Sequence, residues 1–317
     1  MRRVFADAHF DFLAFRRRAY IISGIGLALA LVMAIYNQVT AGSWLNYGVD
    51  FTGGTLIQVE FNRPMTVAEL RPVVDAQFPG VEITRFGDDN GFLIRTGVTG
   101  EATSGAAEVI PTTLEQAFGA NSFTVEQTDA VGAKVGGELQ TRALLAILLS
   151  FGATLVYLAF RFEWRFGLAA VIATAHDILW TLGLISVLRL EVSLPTVAAV
   201  LTIVGYSLND TIVIFDRIRE NLQGAGRREP FLTVLNRSIN ETLPRTVLTT
   251  VTTLATLVAL FLFGGAVIRE FAMILIVGIT LGTYSSIFVA SPALYEIERR
   301  WPVERKKAKV AKARAAL

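Results

Sequence analysis

The sequence contains no cysteine, and only 18% of its 317 residues are charged. The missing cysteine excludes disulfide frameworks, thiolate zinc sites and cysteine nucleophiles. Ordinary soluble domains carry roughly 25% charged residues. The low charge, together with 53% hydrophobic residues and a mean hydropathy of +0.51, therefore indicates a chain that is partly solvated by lipid. The net charge is only +2, and the basic residues cluster beside apolar segments, so no nucleic-acid-binding surface is predicted.

The sequence also lacks the common signatures of catalysis. It has no phosphate-binding glycine loop, no spacing typical of metal ligands and no Ser/His/Asp arrangement. We therefore predict neither an enzyme nor a bound cofactor or metal. Any work that the protein performs must then take its energy from a transmembrane gradient or from a partner.

Six apolar stretches are long enough to cross a bilayer, which requires about 20 mostly apolar residues in a helix. They cover residues 19–38, 143–160, 166–188, 192–215, 246–268 and 271–295. Basic residues are concentrated before the first stretch and after the sixth, so the positive-inside rule predicts that segments 1–18 and 296–317 are both cytoplasmic. Arg189 and Arg269 then fall in short turns on the outer side.

The first apolar stretch also has features of a secretory signal peptide. Three arginines at 16–18 precede it, and the small-residue sequence Val39-Thr40-Ala41 follows it. Its apolar run is longer than the roughly 7–15 residues of a signal-peptide core. An uncleaved membrane anchor is therefore the prediction, and a cleaved signal is the alternative.

Residues 39–139 are polar and are predicted to form a small domain outside the cytoplasm. Strand patterns at 55–61, 81–86, 92–96 and 122–127 alternate with helix patterns at 66–78 and 108–118. Thr66 and Glu69 are spaced as a capping box at the start of the first helix. The order β-α-β-β-α-β is that of a ferredoxin-like α+β fold. Residues 97–107, rich in Gly, Thr and Ala, are predicted to form a flexible loop.

Two cytoplasmic segments are predicted to contact the membrane surface. Residues 230–243 carry apolar side chains at helical spacing and polar side chains on the other face, which is typical of a helix that lies along a bilayer. The basic tail at 296–317 is expected to lie close to anionic lipid, with contact to the ribosome or to nucleic acid as the alternative.

Ionisable residues fall inside the predicted membrane helices, where a charge at the bilayer centre costs at least ~2.5 kcal/mol. Asp177 lies near the middle of the third stretch, and Asp210, with Asn209 beside it, lies further along the fourth. A polar stripe on the fifth stretch begins at Arg245 and continues through Thr249, Thr252 or Thr253, and Thr256. These residues predict a hydrated proton route in which a carboxylate alternates between its protonated and ionised forms. The alternative is a static hydrogen-bonded network that holds the helices together.

Three smaller features complete the pattern. His176 adjoins Asp177, but successive residues on a helix point in different directions, so a relay between them is not favoured. Gly278 and Gly282 are spaced to permit the close approach of two helices. The pair Gly53-Gly54, beside the root of the outer domain, predicts a hinge, with an ordinary turn as the alternative.

Four sequence motifs resemble the SecF family of protein-export membrane proteins, within the SecD/SecF group of the RND superfamily. They are GVDFTGGT at 48–55, AHD at 175–177, VGYSLNDT at 204–211 with FDRIREN at 215–221, and NRSINETLPRT at 236–246. Together they extend over nearly the whole chain, and the fourth-helix motif is highly specific. The resemblance implies one six-helix half of an RND-type transporter in the bacterial cytoplasmic (inner) membrane.

The resemblance also implies partners and roles. The second half is expected to be SecD, and the pair is expected to use the proton motive force to assist late steps of preprotein export through the SecYEG channel, after the SecA motor. By motif position, Asp210 is expected to carry the proton and Arg245 to be its basic partner, with Asn209, Thr249 and Asp177 on the same route. Asp50, Gly53 and Gly54 mark the root of the outer domain. The coupling ion is expected to be a proton, with sodium as the alternative.

Two other functions fit the same features. The chain could be a stand-alone RND-type exporter of a lipid or drug that works as a homo-oligomer. It could also be a scaffold that stabilises the translocation channel without transport, in which case the membrane carboxylates would be dispensable.

Overall fold

The computed structural model describes residues 8–87, 89–97, 103–224 and 229–302. The predictions for Arg2 and Arg3, for the basic tail beyond residue 302 and for residues 98–102 of the loop concern segments outside these ranges. Within the ranges, six helices are long and apolar enough to cross a membrane. The chain is a multi-pass membrane protein, as predicted, with a small sheet domain between its first two spanning helices.

The elements of the chain are numbered in order. The helices are α1 (Arg16–Ala41), α2 (Val49–Thr52), α3 (Val67–Asp75), α4 (Thr103–Phe118), α5 (Ala133–Arg161), α6 (Trp164–Leu188), α7 (Leu194–Gly224), α8 (Phe231–Phe263), α9 (Ala266–Ser285) and α10 (Ser291–Arg300). The strands are β1 (Asn46–Tyr47), β2 (Gly54–Phe61), β3 (Glu82–Arg85), β4 (Gly91–Thr96), β5 (Phe123–Val131) and β6 (Glu191–Val192). A short 3₁₀ helix, Phe12–Phe15, precedes α1, and a π-helical turn, Ser286–Ala290, joins α9 to α10. The spanning helices are α1, α5, α6, α7, α8 and the continuous α9–α10.

Several spanning helices extend beyond the apolar stretches that predicted them, whereas α8 ends at Phe263 rather than at 268 and α7 begins at Leu194 rather than at 192. Helix α5 begins at Ala133 rather than at 143, and α7 continues to Gly224 rather than ending at 215. Helix α9 begins at Ala266, so Arg269 lies inside a helix and not in a turn. The predictions missed these ends because hydropathy marks only the lipid-facing part of a helix, whereas backbone hydrogen bonding continues until a residue stops it.

The prediction that residues 230–243 lie along the membrane surface is wrong. They form the first turns of α8, which runs through Pro244 to Phe263. Their apolar face packs on protein, since Leu235, Ile239 and Leu243 are buried in one cluster with Phe215 and Ile218 of α7. The extension of α7 beyond its predicted end supplies this apolar partner. An internal proline is tolerated in a membrane helix when neighbouring helices satisfy the freed backbone groups.

Residues 10–13, which precede α1, are hydrogen-bonded to two asparagines of α8. Asn240 accepts a hydrogen bond from the Phe10 amide at 2.9 Å and donates to the Phe10 carbonyl at 2.8 Å. Asn236 accepts from the Leu13 amide at 3.2 Å and donates to Asp11 at 2.8 Å. These bonds satisfy backbone groups ahead of α1 and bring the start of the described chain to the end of the bundle that holds α10.

The small domain contains the predicted elements in the predicted order. Its four-stranded antiparallel sheet has the strand order β3-β4-β2-β5, and α3 and α4 supply the other half of its core. The capping box is confirmed, and hydrogen bonds from Thr66 lower the pKa of Glu69. The loop prediction is wrong for residues 103–107, which belong to α4. Ala106 and Ile110 are buried in the domain core, which explains why the helix starts this early.

Candidate functional site

Helices α7 and α9 approach each other closely, as the glycine spacing predicts. A β-carbon placed on Gly278 would collide with Ile203, and one placed on Gly282 would lie 2.9 Å from the β-carbon of Ser207. The two glycines therefore allow polar side chains of α7 and α9 to meet inside an otherwise apolar bundle.

Asp210 lies in this contact and is almost completely buried, with 3% of its surface exposed. Thr283 of α9 donates to its carboxylate at 3.4 Å, and the Thr283 hydroxyl lies 2.8 Å from that of Thr250 on α8. Asp210 is thus placed where α7, α8 and α9 meet. A carboxylate with one long hydrogen bond is poorly stabilised when ionised, which is suited to a group that gains and loses a proton.

Arg245 is the basic residue that the sequence singles out as a partner of this carboxylate. It interacts electrostatically with Asp210, yet its side chain is exposed and forms no ion pair or hydrogen bond with any described residue. The charge can therefore favour ionised Asp210 without locking it into a salt bridge.

Most of the predicted polar stripe bonds its own helix, although Thr253 also accepts a hydrogen bond from Tyr206 of α7 at 3.3 Å. Thr249, Thr252 and Thr256 each donate to a backbone carbonyl one turn earlier on α8. Such bonds are the feature expected of a static network. Asn209 lies on the exposed side of α7, away from the buried face that holds Asp210.

Asp177 is the most fully hydrogen-bonded carboxylate of the bundle interior among the described residues, although the sequence favoured Asp210. One of its oxygens accepts from Ser207 of α7 at 2.5 Å and from Ser285 of α9 at 2.6 Å. The other lies 2.9 Å from Nδ1 of His176. Only 1% of its surface is exposed. Asp177 therefore joins α6, α7 and α9, and no sequence pattern identified the two serines because they come from separate helices.

The expectation that His176 points away from Asp177 is wrong. Both side chains lie on the buried side of α6, and the imidazole turns back towards the carboxylate. Its second nitrogen, Nε2, lies 3.1 Å from the hydroxyl of Ser23 on α1. The π-helical turn begins directly after Ser285, and such turns are frequent at functional sites.

The root of the outer domain is held by several independent contacts. Strands β1 and β6 pair in parallel, and Asp50 accepts a hydrogen bond from the Leu194 amide at the start of α7 at 2.8 Å. Gly53 and Gly54 have φ angles of +74° and +121°, and a β-carbon on Gly54 would collide with the Thr96 carbonyl. Backbone conformation and close packing account for this glycine pair without any motion. The hinge stays a prediction.

An ion pair joins the sheet domain to the membrane helices. Arg95 of β4 contacts Glu191 of β6, and Arg95 also lies 3.4 Å from Glu82. Burial raises the pKa of Glu191, while the Arg95 charge acts in the opposite direction. Among the described residues, no cluster of three or more His, Cys, Asp or Glu side chains could hold a metal ion.

Comparison with known proteins assigns the family. The profile of the family "Protein export membrane protein SecD/SecF, C-terminal" matches residues 111–300, and that of the "SecD/SecF GG Motif" matches residues 39–65. The chain is 46% identical to the protein translocase subunit SecF of Gemmatimonas aurantiaca, over 95% of this chain and 91% of that one. The chain belongs to the SecF family of protein translocase subunits. Its function is of the SecD/SecF protein-export type.

Two further relatives agree with this assignment. The SecF subunit of Desulfurispirillum indicum is 44% identical, over 89% of this chain and 90% of that one. The crystal structure of SecDF, described as a translocon-associated membrane protein, from Thermus thermophilus is 38% identical and has a TM-score of 0.81. That comparison covers 93% of this chain but only 39% of the SecDF chain. The regions matched by the two SecD/SecF family models include Gly53, Gly54, Asp177, Asp210 and Arg245.

Proposed function

We propose that the chain is one half of a proton-driven protein-export complex of the bacterial inner membrane, and that protons pass through Asp210. The observation that carries this proposal is a buried, weakly hydrogen-bonded carboxylate at the junction of three spanning helices, with Arg245 near it but unpaired. Protonation makes Asp210 neutral, and release of the proton requires donors and the Arg245 charge to stabilise the carboxylate. The two states favour different packing of α7, α8 and α9, which is how proton passage would do mechanical work.

The proposed second half is a SecD-type chain. Polar side chains are exposed within the spanning region, Arg245 and Thr252 on α8 and Asn209 on α7. Lipid does not solvate such side chains. A second six-helix half would cover this face, and the SecDF structure, of which this chain matches 39%, supports that arrangement. Preproteins, SecYEG and, indirectly, SecA are the further partners that the family suggests.

Co-purification tests the partner. A tagged chain expressed with the SecD-type chain of the same genome should retain that chain in detergent. Thr252→Trp, on the exposed polar face of α8, should abolish retention. Leu148→Trp should leave retention unchanged, because Leu148, which is 58% exposed, lies on the apolar face of α5. Retention of only further copies of this chain would favour the stand-alone exporter instead.

The proposed orientation places both termini in the cytoplasm and the sheet domain outside. The positive-inside rule supports it, as does the packing of Leu13, just ahead of α1, in one cluster with Leu294 and Ile297 of α10. The domain is proposed to be ferredoxin-like, which its β-α-β-β-α-β sequence of elements and its strand order support.

Labelling of single cysteines tests the orientation directly, because the chain has no native cysteine. Asp89→Cys, in the sheet domain, should react with an impermeant thiol reagent added to intact cells. Gln223→Cys, at the exposed end of α7, should react only after the cells are opened. The opposite pattern would show that the chain is inverted.

A static scaffold is the second candidate, because Thr249 and Thr252 bond their own helix and both carboxylate oxygens of Asp177 have hydrogen-bond partners. The two candidates differ in whether the protonation of Asp210 matters. The scaffold needs only the shape of that side chain, whereas the transporter needs its proton.

A further inference from the structure

A continuous line of polar atoms leaves Asp177 and reaches the first turn of α1. His176 Nδ1 lies 2.9 Å from Asp177, and His176 Nε2 lies 3.1 Å from the Ser23 hydroxyl. The Ser23 hydroxyl lies 3.4 Å from that of Tyr284, which donates to the Ala19 carbonyl at 3.2 Å. The line crosses α6, α1 and α9, and its first members are buried.

Close helix packing holds this line in place. A β-carbon on Gly26, one turn after Ser23, would collide with Trp180, and one on Gly183 would collide with Ala30. Helices α1 and α6 therefore pack closely over the turns that follow Ser23 and His176. With only 7% of its surface exposed, the imidazole is enclosed by protein beside Ser23.

The donors and acceptors of the line balance for more than one position of a proton. With neutral His176 carrying its hydrogen on Nδ1, the ring donates to Asp177, and Nε2 accepts from Ser23. With protonated His176, Nε2 donates to Ser23, Ser23 donates to Tyr284, and Tyr284 donates to the Ala19 carbonyl. Protonation of His176 therefore requires only that the Ser23 hydroxyl group rotate from Nε2 towards Tyr284, and no donor is left unpaired.

A proton can therefore move along the line by balanced steps. Protonated Asp177 gives its proton to Nδ1 of a His176 that carries hydrogen on Nε2, which produces a carboxylate and an imidazolium. The imidazolium then releases the Nε2 proton to the Ser23 hydroxyl, Ser23 passes its own proton to Tyr284, and Tyr284 releases its original phenolic proton to water at its partly exposed side. His176 is left neutral with its hydrogen on Nδ1, and one proton has moved from Asp177 towards α1.

The ends of the line fit a path out of the bundle. Asp177 lies near the middle of the 25-residue helix α6. Ala19 lies only about 5 Å along α1 from its first residue, at 1.5 Å per residue, and this is the end that the proposed topology places in the cytoplasm. Tyr284 is only half-buried, so its hydroxyl group is the member nearest to exchange with solvent.

We propose that His176 relays protons between Asp177 and the cytoplasmic end of α1 through Ser23 and Tyr284. This relay rests on the proposed function, since it needs a complex that moves protons. It gives Asp177 a transport role beside Asp210 and assigns a chemical task to a histidine that sequence reasoning set aside. The remaining donors to Asp177, Ser207 and Ser285, keep the carboxylate in place while its proton leaves.

Substitution of His176 by asparagine distinguishes a role of His176 in proton relay from a purely structural role. The amide nitrogen of Asn takes the place of Nδ1 and can still donate to Asp177, but Asn has no group that reaches Ser23. We expect His176→Asn to co-purify with its SecD-type partner at the parental level and to lose gradient-driven export into membrane vesicles by about tenfold or more. Ser23→Ala should reduce export in the same direction. Thr174→Ala removes a buried hydroxyl that bonds only its own helix and should have no effect.

The outcomes distinguish this proposal from the proposed function. If Asp210→Asn is inactive while His176→Asn and Ser23→Ala export normally, the relay is wrong and the proposed function stands. If Asp210→Asn exports normally, the proposed function fails and the relay fails with it. If His176→Asn does not assemble, Ser23→Ala decides alone, since it leaves the bond between His176 and Asp177 in place.

Discussion

Asp210→Asn is expected to assemble with its partner at the parental level and to lose nearly all gradient-dependent export. The amide has the shape of the carboxyl group and can still bond to Thr283, but it cannot bind or release a proton at any physiological pH. Substitution also removes a buried charge, so the folded protein should be no less stable. The measurement is the rate of export of a secreted reporter into energised membrane vesicles, normalised to the amount of complex.

The matched control for this variant is Asp216→Asn on the same helix. Asp216 forms ion pairs with Arg161 and Arg219 and is 32% exposed. A partly exposed pair of this kind contributes at most about 1 kcal/mol, so export should stay close to the parental rate. Parental export by Asp210→Asn would remove Asp210 from the mechanism and favour the scaffold.

Arg245→Met should be nearly inactive, whereas Arg245→Lys should keep part of the activity. A positive charge near Asp210 stabilises the ionised carboxylate, so without that charge the carboxyl group holds its proton and the cycle stops. Lysine retains the charge but not the planar group with five N–H donors. Because Arg245 makes no ion pair with the described residues, neither substitution should break the fold of this chain. Export rates of both variants, at equal membrane content, provide the comparison.

Arg237→Met serves as the control for loss of an arginine from α8, since Arg237 lies in the first turns of the helix and pairs with Glu229 at 2.7 Å. It should change export far less than Arg245→Met. Equal export by Arg245→Met and the parent would make Arg245 an orientation signal at a helix end, with no part in proton transfer.

An element of the architecture could be predicted when the residues that determine it all lie in one segment of the sequence. Apolar runs predicted the six spanning helices, and the Thr66–Glu69 spacing predicted a capping box that the structure confirms. The same runs could not show that α8 starts at Phe231. The first turns of α8 have polar residues on one face, and their apolar face is buried only because α7 is long enough to pack against it. Hydrophobic periodicity describes the faces of a single helix, so it cannot predict a contact between two helices such as α7 and α8.

The candidate site also depends on contacts between helices that the sequence alone does not show. Asp177 and Asp210 stand out in sequence because charge is costly in a membrane. The groups that decide their chemistry, Ser207, Ser285 and Ser23, are ordinary residues of separate helices, and only packing brings them together. The orientation of His176 was missed for a related reason. Angular separation on a helix fixes the direction of the Cα–Cβ bond, while a long side chain in a crowded interior can turn back towards its neighbour.

Collapse of the proton gradient tests most directly the claim that protons passing through Asp210 drive export. Vesicles that contain the complex of this chain and its SecD-type partner would export a reporter with and without a protonophore, under conditions in which ATP supply is held constant. The parental complex should slow several-fold when the gradient collapses, and the Asp210→Asn complex should export at that same slow rate with or without the protonophore. If the protonophore slows the Asp210→Asn complex as strongly as the parental one, the gradient acts elsewhere and the account is contradicted.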